Sequence, residues 1–236
     1  MKKYFFVLTA ALFLFAMLPA NTLAQHASVY VVHGIPGADL GLDPDLPVDI
    51  SVNGACALTG FKFKEVAGPI TLEAGMYNIK ISLANPDAPC SNDPVIEADV
   101  KIRARDNVTI IAHLNEEGGI TASKFVNDVS TIKNPKARVT VHHLAQAPIV
   151  DTEFFRTSPG PDHVNKAGNF TNGDKVTFEV RFGKWLLTLA PWNSGTVVFQ
   201  NLFKIKINRL YLVYAVGNIS SGTFTLIAFT EKTFAR

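Results

Sequence analysis

Apolar and polar side chains alternate residue by residue in several parts of the chain, most clearly in the segments 77–82 and 176–182. Such alternation is typical of a half-buried β-strand, because successive side chains of a strand point to opposite faces. Further strands are predicted at 95–104, 108–114, 197–207 and 210–216. After residue 24 no window of a dozen residues has helical spacing, so the sequence predicts an all-β protein.

The strand pattern occurs twice along the chain. Ala27–His33 lines up with Ala137–His143, and Gly75–Ile79 lines up with Gly183–Leu187, at a spacing of about 105 residues. About seven short strands per copy, separated by turn residues, indicate two tandem antiparallel β-sandwiches of the immunoglobulin-like type, each enclosing its own apolar core. The predicted boundaries are 25–126 for the first domain, 127–136 for a polar linker and 137–236 for the second domain.

The first 24 residues have the layout of a secretory signal peptide. Two lysines precede an apolar run from Tyr4 to Leu18, which Pro19 and small residues up to Ala24 follow. The run is shorter than the about twenty residues that span a bilayer, so cleavage before Gln25 is predicted rather than a retained membrane anchor. We expect an exported protein of the cell surface, periplasm or medium, with no membrane span after cleavage.

The charge balance narrows the range of partners. Without the two lysines of the leader, 20 basic residues face 20 acidic residues. A neutral protein lacks the basic surface that nucleic acids and anionic membranes attract, so neither partner is expected. Hydrophobic residues make up 47% of the chain, enough for a buried core.

Cys56 and Cys90 are the two cysteines of the chain. Outside the reducing cytosol such a pair is expected to form a disulfide. Closing a loop of some thirty residues in this way would stabilise the fold by about 3 to 4 kcal/mol in the chain-entropy model. Neither cysteine has a C-x-x-C partner or a nearby histidine, so metal binding and thiol catalysis are not expected.

His33 and His143 close equivalent strands, and the alternation places both on the core side. An imidazole there could act as a ligand or a base, since it titrates near neutrality. The favoured interpretation is structural. Each neutral ring would form a hydrogen bond to a loop carbonyl, or to Asp49 or Asp151 of the following strand, and so fix the first strand at the entry to the sandwich. The sequence contains no G-x-S-x-G, H-E-x-x-H or Walker glycine motif, so neither catalytic residues nor a cofactor are predicted.

The first copy carries eight more residues than the second between its histidine and its Val-Asp pair, fourteen against six. This Gly- and Pro-rich segment and the strand after it hold four aspartates: Asp39, Asp43, Asp45 and Asp49. Carboxylates in the loops of secreted modules can bind Ca²⁺. Their spacing matches no EF-hand or RTX pattern, so a solvated loop is predicted, with calcium as the alternative.

Trp192 lies in a predicted loop within Ala190–Gly195. Loop aromatics stack on sugars or anchor protein partners. The favoured interpretation is instead a ring folded back over the end of the sandwich, with a binding role as the alternative. Trp192 is therefore the residue on which a carbohydrate-binding hypothesis rests.

Several motifs together resemble one family. They are Ala27-x-Val29-x-Val31-x-His33, Pro36, Val48-Asp49-Ile50-x-Val52-Asn53-Gly54 and Leu72-x-Ala74-Gly75-x-Tyr77. This pattern is similar to domain-of-unknown-function family 4397, whose members are exported, mostly bacterial proteins, often with the unit in tandem. The second copy departs from it, with Gln146 in place of the proline and Trp185 where a tyrosine is common. The resemblance implies export and a sandwich fold but no activity.

The leading hypothesis is a non-enzymatic extracellular module that acts in adhesion, envelope structure or ligand recognition. Its partner would be an extracellular or envelope protein, or a glycan. A carbohydrate-binding module that uses Trp192 is the first alternative. A secreted hydrolase or metal-dependent enzyme centred on His33, Asp49 and the acidic segment is the second.

Overall fold

The computed structural model describes residues 26–133, 135–158 and 164–233. The predicted signal peptide, Gln25, and Asn134 of the predicted linker lie outside the described residues. Within those ranges the chain forms sixteen strands in four four-stranded sheets, arranged as two sandwich-like units, which confirms the all-β prediction. No helix of the described part has the length and hydrophobicity to cross a membrane.

The first sandwich contains eight strands, one more than the sequence pattern predicts. They are β1 (His26–His33), β2 (Val48–Val52), β3 (Ala55–Phe61), β4 (Val66–Glu73), β5 (Gly75–Leu83), β6 (Pro94–Ile102), β7 (Asn107–Leu114) and β8 (Ile120–Val126). Its two sheets have the strand orders β4-β1-β7-β8 and β3-β2-β5-β6. A 3₁₀ turn at Gly37–Leu40 lies between β1 and β2.

The second sandwich repeats this arrangement strand for strand. Its strands are β9 (Lys136–His143), β10 (Val150–Ser158), β11 (Val164–Phe170), β12 (Lys175–Arg181), β13 (Gly183–Pro191), β14 (Phe199–Ile205), β15 (Arg209–Val216) and β16 (Thr225–Lys232). The sheet orders are β12-β9-β15-β16 and β11-β10-β13-β14, so every strand of the first copy has a counterpart. Matching backbone pairs therefore define equivalent positions in the two copies.

Most neighbouring strands pair antiparallel, but each sandwich contains one parallel pair. β1 pairs with β7, and β9 pairs with β15, in the parallel sense. Strands that meet through a short turn must be antiparallel, whereas these partners are separated by most of their sandwich. The long connection removes that constraint, so the first strand can lie parallel to its partner inside the sheet.

The central strands β7 and β15 are buried on both faces. Every residue of β7 and all but the first of β15 are buried. One face points into the strand's own sandwich, and the other faces the opposite sandwich, where Val32 and Ile111 join one apolar cluster with Leu212 and Tyr214. The molecule is thus four sheets deep, with a separate apolar cluster between the sandwiches.

Residues 127–133 and 135 connect β8 to β9 outside the strands. Asn127 and Ile132 are buried. Arg138 of β9 donates a 2.7 Å hydrogen bond to the Asp128 carbonyl and forms a 3.0 Å ion pair with the carboxylate of the same residue. The contacts of Arg138 therefore hold this connection against the second sandwich. The domain boundaries stay a prediction.

Candidate functional site

A cavity of about 120 Å³ lies between the two sheets of the first sandwich. Val52, Ile79 and Ile81 line it from one sheet, and Ile110 and Ala112 line it from the other. These side chains share the inward faces of their strands, as the alternating pattern requires. The cavity wall is therefore made almost wholly of aliphatic groups.

The cavity is partly open to solvent near the end of β5 and the beginnings of β6 and β8. Four of the side chains that line it are themselves 39 to 52% exposed: Leu42, Leu83, Val95 and Ile120. Val95 lies on β6 and Ile120 on β8, the outermost strands of the two sheets. We call these four side chains the rim; they form an apolar mouth.

The extra segment of the first copy forms part of the wall. Residues 34–47, which we call the insert, contribute Leu40, Leu42 and Leu46 to the cavity lining. Gly37 permits the tight fold of the insert, since a Cβ atom there would lie 1.7 Å from the Asp43 carbonyl oxygen. The segment that distinguishes the two copies therefore lies over the cavity.

Asp39 ties the insert to the second sandwich. Its two carboxylate oxygens accept hydrogen bonds from the Ser221 hydroxyl at 2.5 Å and from the Thr223 hydroxyl at 2.7 Å. Because a carboxylate acceptor makes a stronger bond than a neutral one, these contacts hold the insert in place. The second copy thus helps to position one wall of the cavity in the first.

His33 is the one polar residue among the described residues that line the cavity. Its Nδ1 accepts the Ile35 backbone N–H at 3.3 Å, so the neutral ring carries its proton on Nε2, which donates to the Leu46 carbonyl at 2.9 Å. Burial lowers the pKa of His33, although the Leu46 bond acts in the opposite direction. The ring is a neutral brace between β1 and the insert.

His143 occupies the equivalent place in the second copy. Its Nδ1 accepts the Ala145 backbone N–H at 3.4 Å, and its ring lies edge-on to Phe170 at 5.5 Å. Burial lowers the pKa of His143 to about 4. The adjacent His142, which the sequence did not single out, stacks on Tyr214 at 4.8 Å between the sandwiches, and burial lowers its pKa to about 4 as well.

The other acidic residues make separate contacts. The Asp49 carboxylate accepts backbone N–H bonds from Gly60, Asn85 and Cys90 at 2.9 to 3.0 Å. Burial raises the pKa of Asp49, but the three bonds outweigh it and hold the pKa below its usual range. Asp43 accepts the Asp45 backbone N–H at 2.8 Å, and Asp45 pairs with Lys62 at 3.4 Å.

These contacts bear on the calcium hypothesis. Asp39 faces the second sandwich, Asp49 lies inside the first, and Asp43 and Asp45 lie on the exposed part of the insert. Across the described ranges, no three His, Cys, Asp or Glu side chains stand close enough together to hold a metal ion. The four aspartates therefore do not form a single donor set there.

The disulfide between Cys56 and Cys90 is present, with Cα atoms 5.7 Å apart. It joins β3 to the loop between β5 and β6. The same loop is held by Asp49, which bonds the backbone of Asn85 and Cys90. The covalent bond and the buried carboxylate thus secure one loop together.

Trp192 is 53% exposed and lies in the turn after β13 of the second sandwich. Its backbone N–H donates to the Ile149 carbonyl at 2.9 Å, and the Asp151 carboxylate accepts the Asn193 backbone N–H at 2.9 Å. The backbone of the turn is held while the indole ring stays at the surface. Trp192 and the cavity belong to different sandwiches.

The second copy fills the equivalent interior with aromatic rings. Ile79 of the first copy aligns with Leu187 of the second. Val52 pairs with Ile79, and Phe154 pairs with Leu187, so Phe154 is the counterpart of Val52. Phe154 is fully buried and stacks on Trp185 at 5.0 Å. A ring therefore occupies the place where the first copy has a short aliphatic side chain.

Two aromatic rings occupy the equivalent of the mouth in the second copy. Phe199 pairs with Leu189 in the second copy as Ile96 pairs with Ile81 in the first, so Phe199 is the counterpart of Ile96. In the same way Phe224, one residue before β16, is the counterpart of Ile120, the first residue of β8. The Phe199 and Phe224 rings meet edge to face at 4.9 Å. Two rings in contact thus stand where the first copy has Ile96 and the rim residue Ile120.

Sequence reasoning did not find the cavity or its rim. Two signals could have pointed to them: the insert brings three leucines that the second copy lacks, and aliphatic positions of the first copy align with phenylalanines of the second. The aspartates of the insert instead predicted a solvated loop, with calcium binding as the alternative. Its leucines, which need the folded sandwich to be placed, are the ones that reach the cavity.

The chain belongs to a family whose sequence model matches more than half of it. The family described as Domain of unknown function (DUF4397) matches residues 27–153, more than half of the chain, and so confirms the resemblance. The match spans the first sandwich, β9 and the beginning of β10. No curated protein matches the chain.

Several solved structures share weak likeness with the chain. The Bacillus anthracis TIE protein is 14% identical, with a TM-score of 0.25 over 80% of this chain and 33% of its own, so the chain spans about a third of it. A candidate cell adhesion protein from Bacteroides ovatus is 10% identical, with a TM-score of 0.28, over 90% of this chain and 99% of its own. A family CBM26 module from Eubacterium rectale Amy13K, solved with maltoheptaose, is 9% identical, with a TM-score of 0.26, over 89% of this chain and 97% of its own. At these scores the likenesses carry no argument about function.

Proposed function

We propose that this protein is an exported, non-enzymatic binding module whose ligand occupies the cavity of the first sandwich. The second sandwich is its support. The leader layout and the Cys56–Cys90 disulfide favour export, because disulfides persist in oxidising compartments. Cell-surface adhesion or envelope structure is the setting in which such a module would act.

The observation that carries the proposal is the open apolar mouth. Water-exposed apolar clusters on a folded protein are costly and mark binding sites more often than not. The rim side chains surround a cavity, rather than lying scattered over the surface. The second copy shows that the same backbone accommodates rings at these positions, so the sandwich fold does not require an open mouth.

Two contacts support a non-enzymatic role. Both nitrogens of His33 are engaged by the backbone of Ile35 and Leu46. Asp49 is 2% exposed, and its carboxylate accepts three backbone N–H groups. A general base needs a free acceptor within reach of the substrate, which neither residue offers in this arrangement.

The test is recovery of a ligand from the natural source. The full exported chain is purified without denaturant from the producing cell's medium or envelope, and bound molecules are identified by native mass spectrometry. We expect a molecule on the wild-type protein that is absent from the double variant Ile96→Phe/Ile120→Phe, which copies the closed mouth of the second copy. Trp192→Ala is the matched control, and equal occupancy of the wild-type and closed-mouth proteins would refute the site.

Carbohydrate binding at Trp192 is the second candidate, because its ring is 53% exposed in a turn that also presents Asn193 and Ser194. Aromatic rings at such positions stack on sugar faces. A glycan array on the exported chain, with and without Trp192→Ala, tests it. Signals that are absent, or that survive the substitution, would remove this function.

A further inference from the structure

We propose that the cavity of the first sandwich binds the hydrocarbon end of a small amphiphilic molecule, with the polar end left in solvent outside the rim. This inference rests on the proposed function, since it uses the same site. It adds the chemistry of the ligand.

The cavity wall offers no partner for a polar group. Its described lining residues are aliphatic apart from Phe61 and His33, and both nitrogens of His33 are already bonded to the backbone. Burying a hydroxyl, an amide or a charge without a hydrogen-bond partner is strongly unfavourable. The buried part of the ligand is therefore hydrocarbon, and a peptide backbone or a sugar ring does not suit the interior.

The volume sets the size of the buried group. An engineered apolar cavity of about 150 Å³ in another protein stays dry and binds benzene. The cavity here measures about 120 Å³ and has a comparable wall of branched aliphatic side chains. It accommodates a hydrocarbon group of about six carbons, comparable with benzene in size.

The rim explains why the ligand has two ends. Leu42 and Leu83 lie at the mouth together with Val95 and Ile120, all more than a third exposed. A chain longer than the cavity would emerge across these side chains and cover part of them. The polar end would then lie in water, where it keeps its hydration.

A protein partner suits the site less well. Stable protein–protein interfaces bury at least roughly 1,200 Å², far more than four partly exposed rim side chains supply. The space behind the rim extends into the sandwich, so filling it requires a narrow group without polar atoms. A hydrocarbon chain meets this requirement directly.

The experiment is a titration of the full exported chain with straight-chain 1-alkanols from butanol to decanol, followed by methyl NMR. Each added methylene that becomes buried should raise affinity about fourfold. We expect this increase up to about six carbons and a smaller one beyond, with shifts centred on the methyl groups of Ile81 and Ile110, which line the cavity.

Val52→Phe, which places the ring of Phe154 in the first copy, should abolish binding. If that variant does not fold, the closed-mouth variant Ile96→Phe/Ile120→Phe provides the same test at the mouth of the cavity. Trp192→Ala should bind like the wild type. Absence of chain-length dependence, or unchanged binding in a folded Val52→Phe protein, would overturn the hydrocarbon assignment.

The outcomes separate this inference from the proposed function. A natural ligand that is lost on closing the mouth, together with no response to any alkanol, would leave the site standing and reject the hydrocarbon assignment alone. Loss of both signals would reject the site. A concentration-dependent dimer that disappears in the closed-mouth variant would replace the amphiphile with a second copy of the chain.

Discussion

The two sandwiches share strand order, and their backbone registers agree apart from β-bulges, but they fill their interiors differently. The first packs aliphatic side chains around an open cavity of about 120 Å³. In the second, Phe154 stacks on Trp185 and lies near Phe178 and Phe203. Main-chain hydrogen bonds define the sheets in both copies, so side chains inside one copy were free to diverge without loss of the fold.

The comparison separates stability from binding. Close packing of large rings gives the second copy dispersion contacts and buried apolar area that the first does not have at the same positions. The first copy buries less apolar area at these positions and has a cavity that is open to solvent. A duplicated scaffold can divide the two tasks in this way, with one copy supporting the other through the shared apolar cluster.

Acid is expected to affect the second copy most. The pKa values of His142 and His143 are about 4, against about 6.5 in an unfolded chain. Between these values the unfolded state binds more protons, so stability is complete above pH 6.5 and falls as the pH drops to 4, by roughly 3 kcal/mol per ring. Chemical denaturation from pH 7 to pH 4 measures the loss.

Replacing each ring separately provides the control for this titration. His142→Gln and His143→Gln proteins should each lose part of the pH dependence between pH 6.5 and pH 4. A dependence that persists unchanged in the double variant would show that other groups carry it.

Removal of the disulfide should destabilise the first copy. Cys56 and Cys90 are 34 residues apart in sequence, a separation for which the chain-entropy model gives about 3 to 4 kcal/mol. Hydrogen exchange of a Cys56→Ala/Cys90→Ala protein should show faster opening in β3 and in the loop before β6. Equal acceleration in both sandwiches would mean that they unfold as one unit.

Phe154→Val should give the second copy a cavity like that of the first. The deleted ring atoms leave a void among rings that cannot fully collapse, so we expect a loss of about 2 to 4 kcal/mol in the free energy of unfolding. Guanidinium denaturation measures it. A loss below about 1 kcal/mol would show that the aromatic cluster repacks freely.

Asp39→Ala should have the smallest effect, on stability as well as on the cavity. It removes two hydrogen bonds between the insert and the second sandwich, worth about 1 to 2 kcal/mol together at a partly buried site. We also expect weaker alkanol binding, because the insert forms one wall. Asp43→Ala, which alters the same segment without touching the second sandwich, is the control, and equal effects of the two changes would contradict a tether.

Local patterns predicted much of the scaffold. Alternation in 77–82 and 176–182 placed β5 and β12, and two cysteines in an exported chain sufficed for the disulfide. The fold class followed from such short-range signals, because a strand's period and its turns are properties of neighbouring residues. The predicted structural roles of His33 and His143 stay predictions, although the contacts of both rings are now described.

The sandwich-to-sandwich packing was not accessible in the same way. β15 is a continuous apolar run after Arg209, and β7 is apolar apart from Asn107, Thr109 and His113. This composition indicates burial on both faces but does not say what covers the second face. That face is covered by residues about a hundred positions away, such as Ile111 against Tyr214. Periodicity within a segment contains no information about such a partner.

By itself the amino-acid sequence determined the strands, their duplication, the cysteine pair and the family, since each depends on residues close together or on recurring motifs. Only the tertiary structure decided that the insert's leucines meet β6 and β8 around a void, and that Phe199 and Phe224 close the same place in the second copy. A cavity is the space left between side chains from distant strands. Its existence depends on their combined volumes and positions, which no single stretch of sequence specifies.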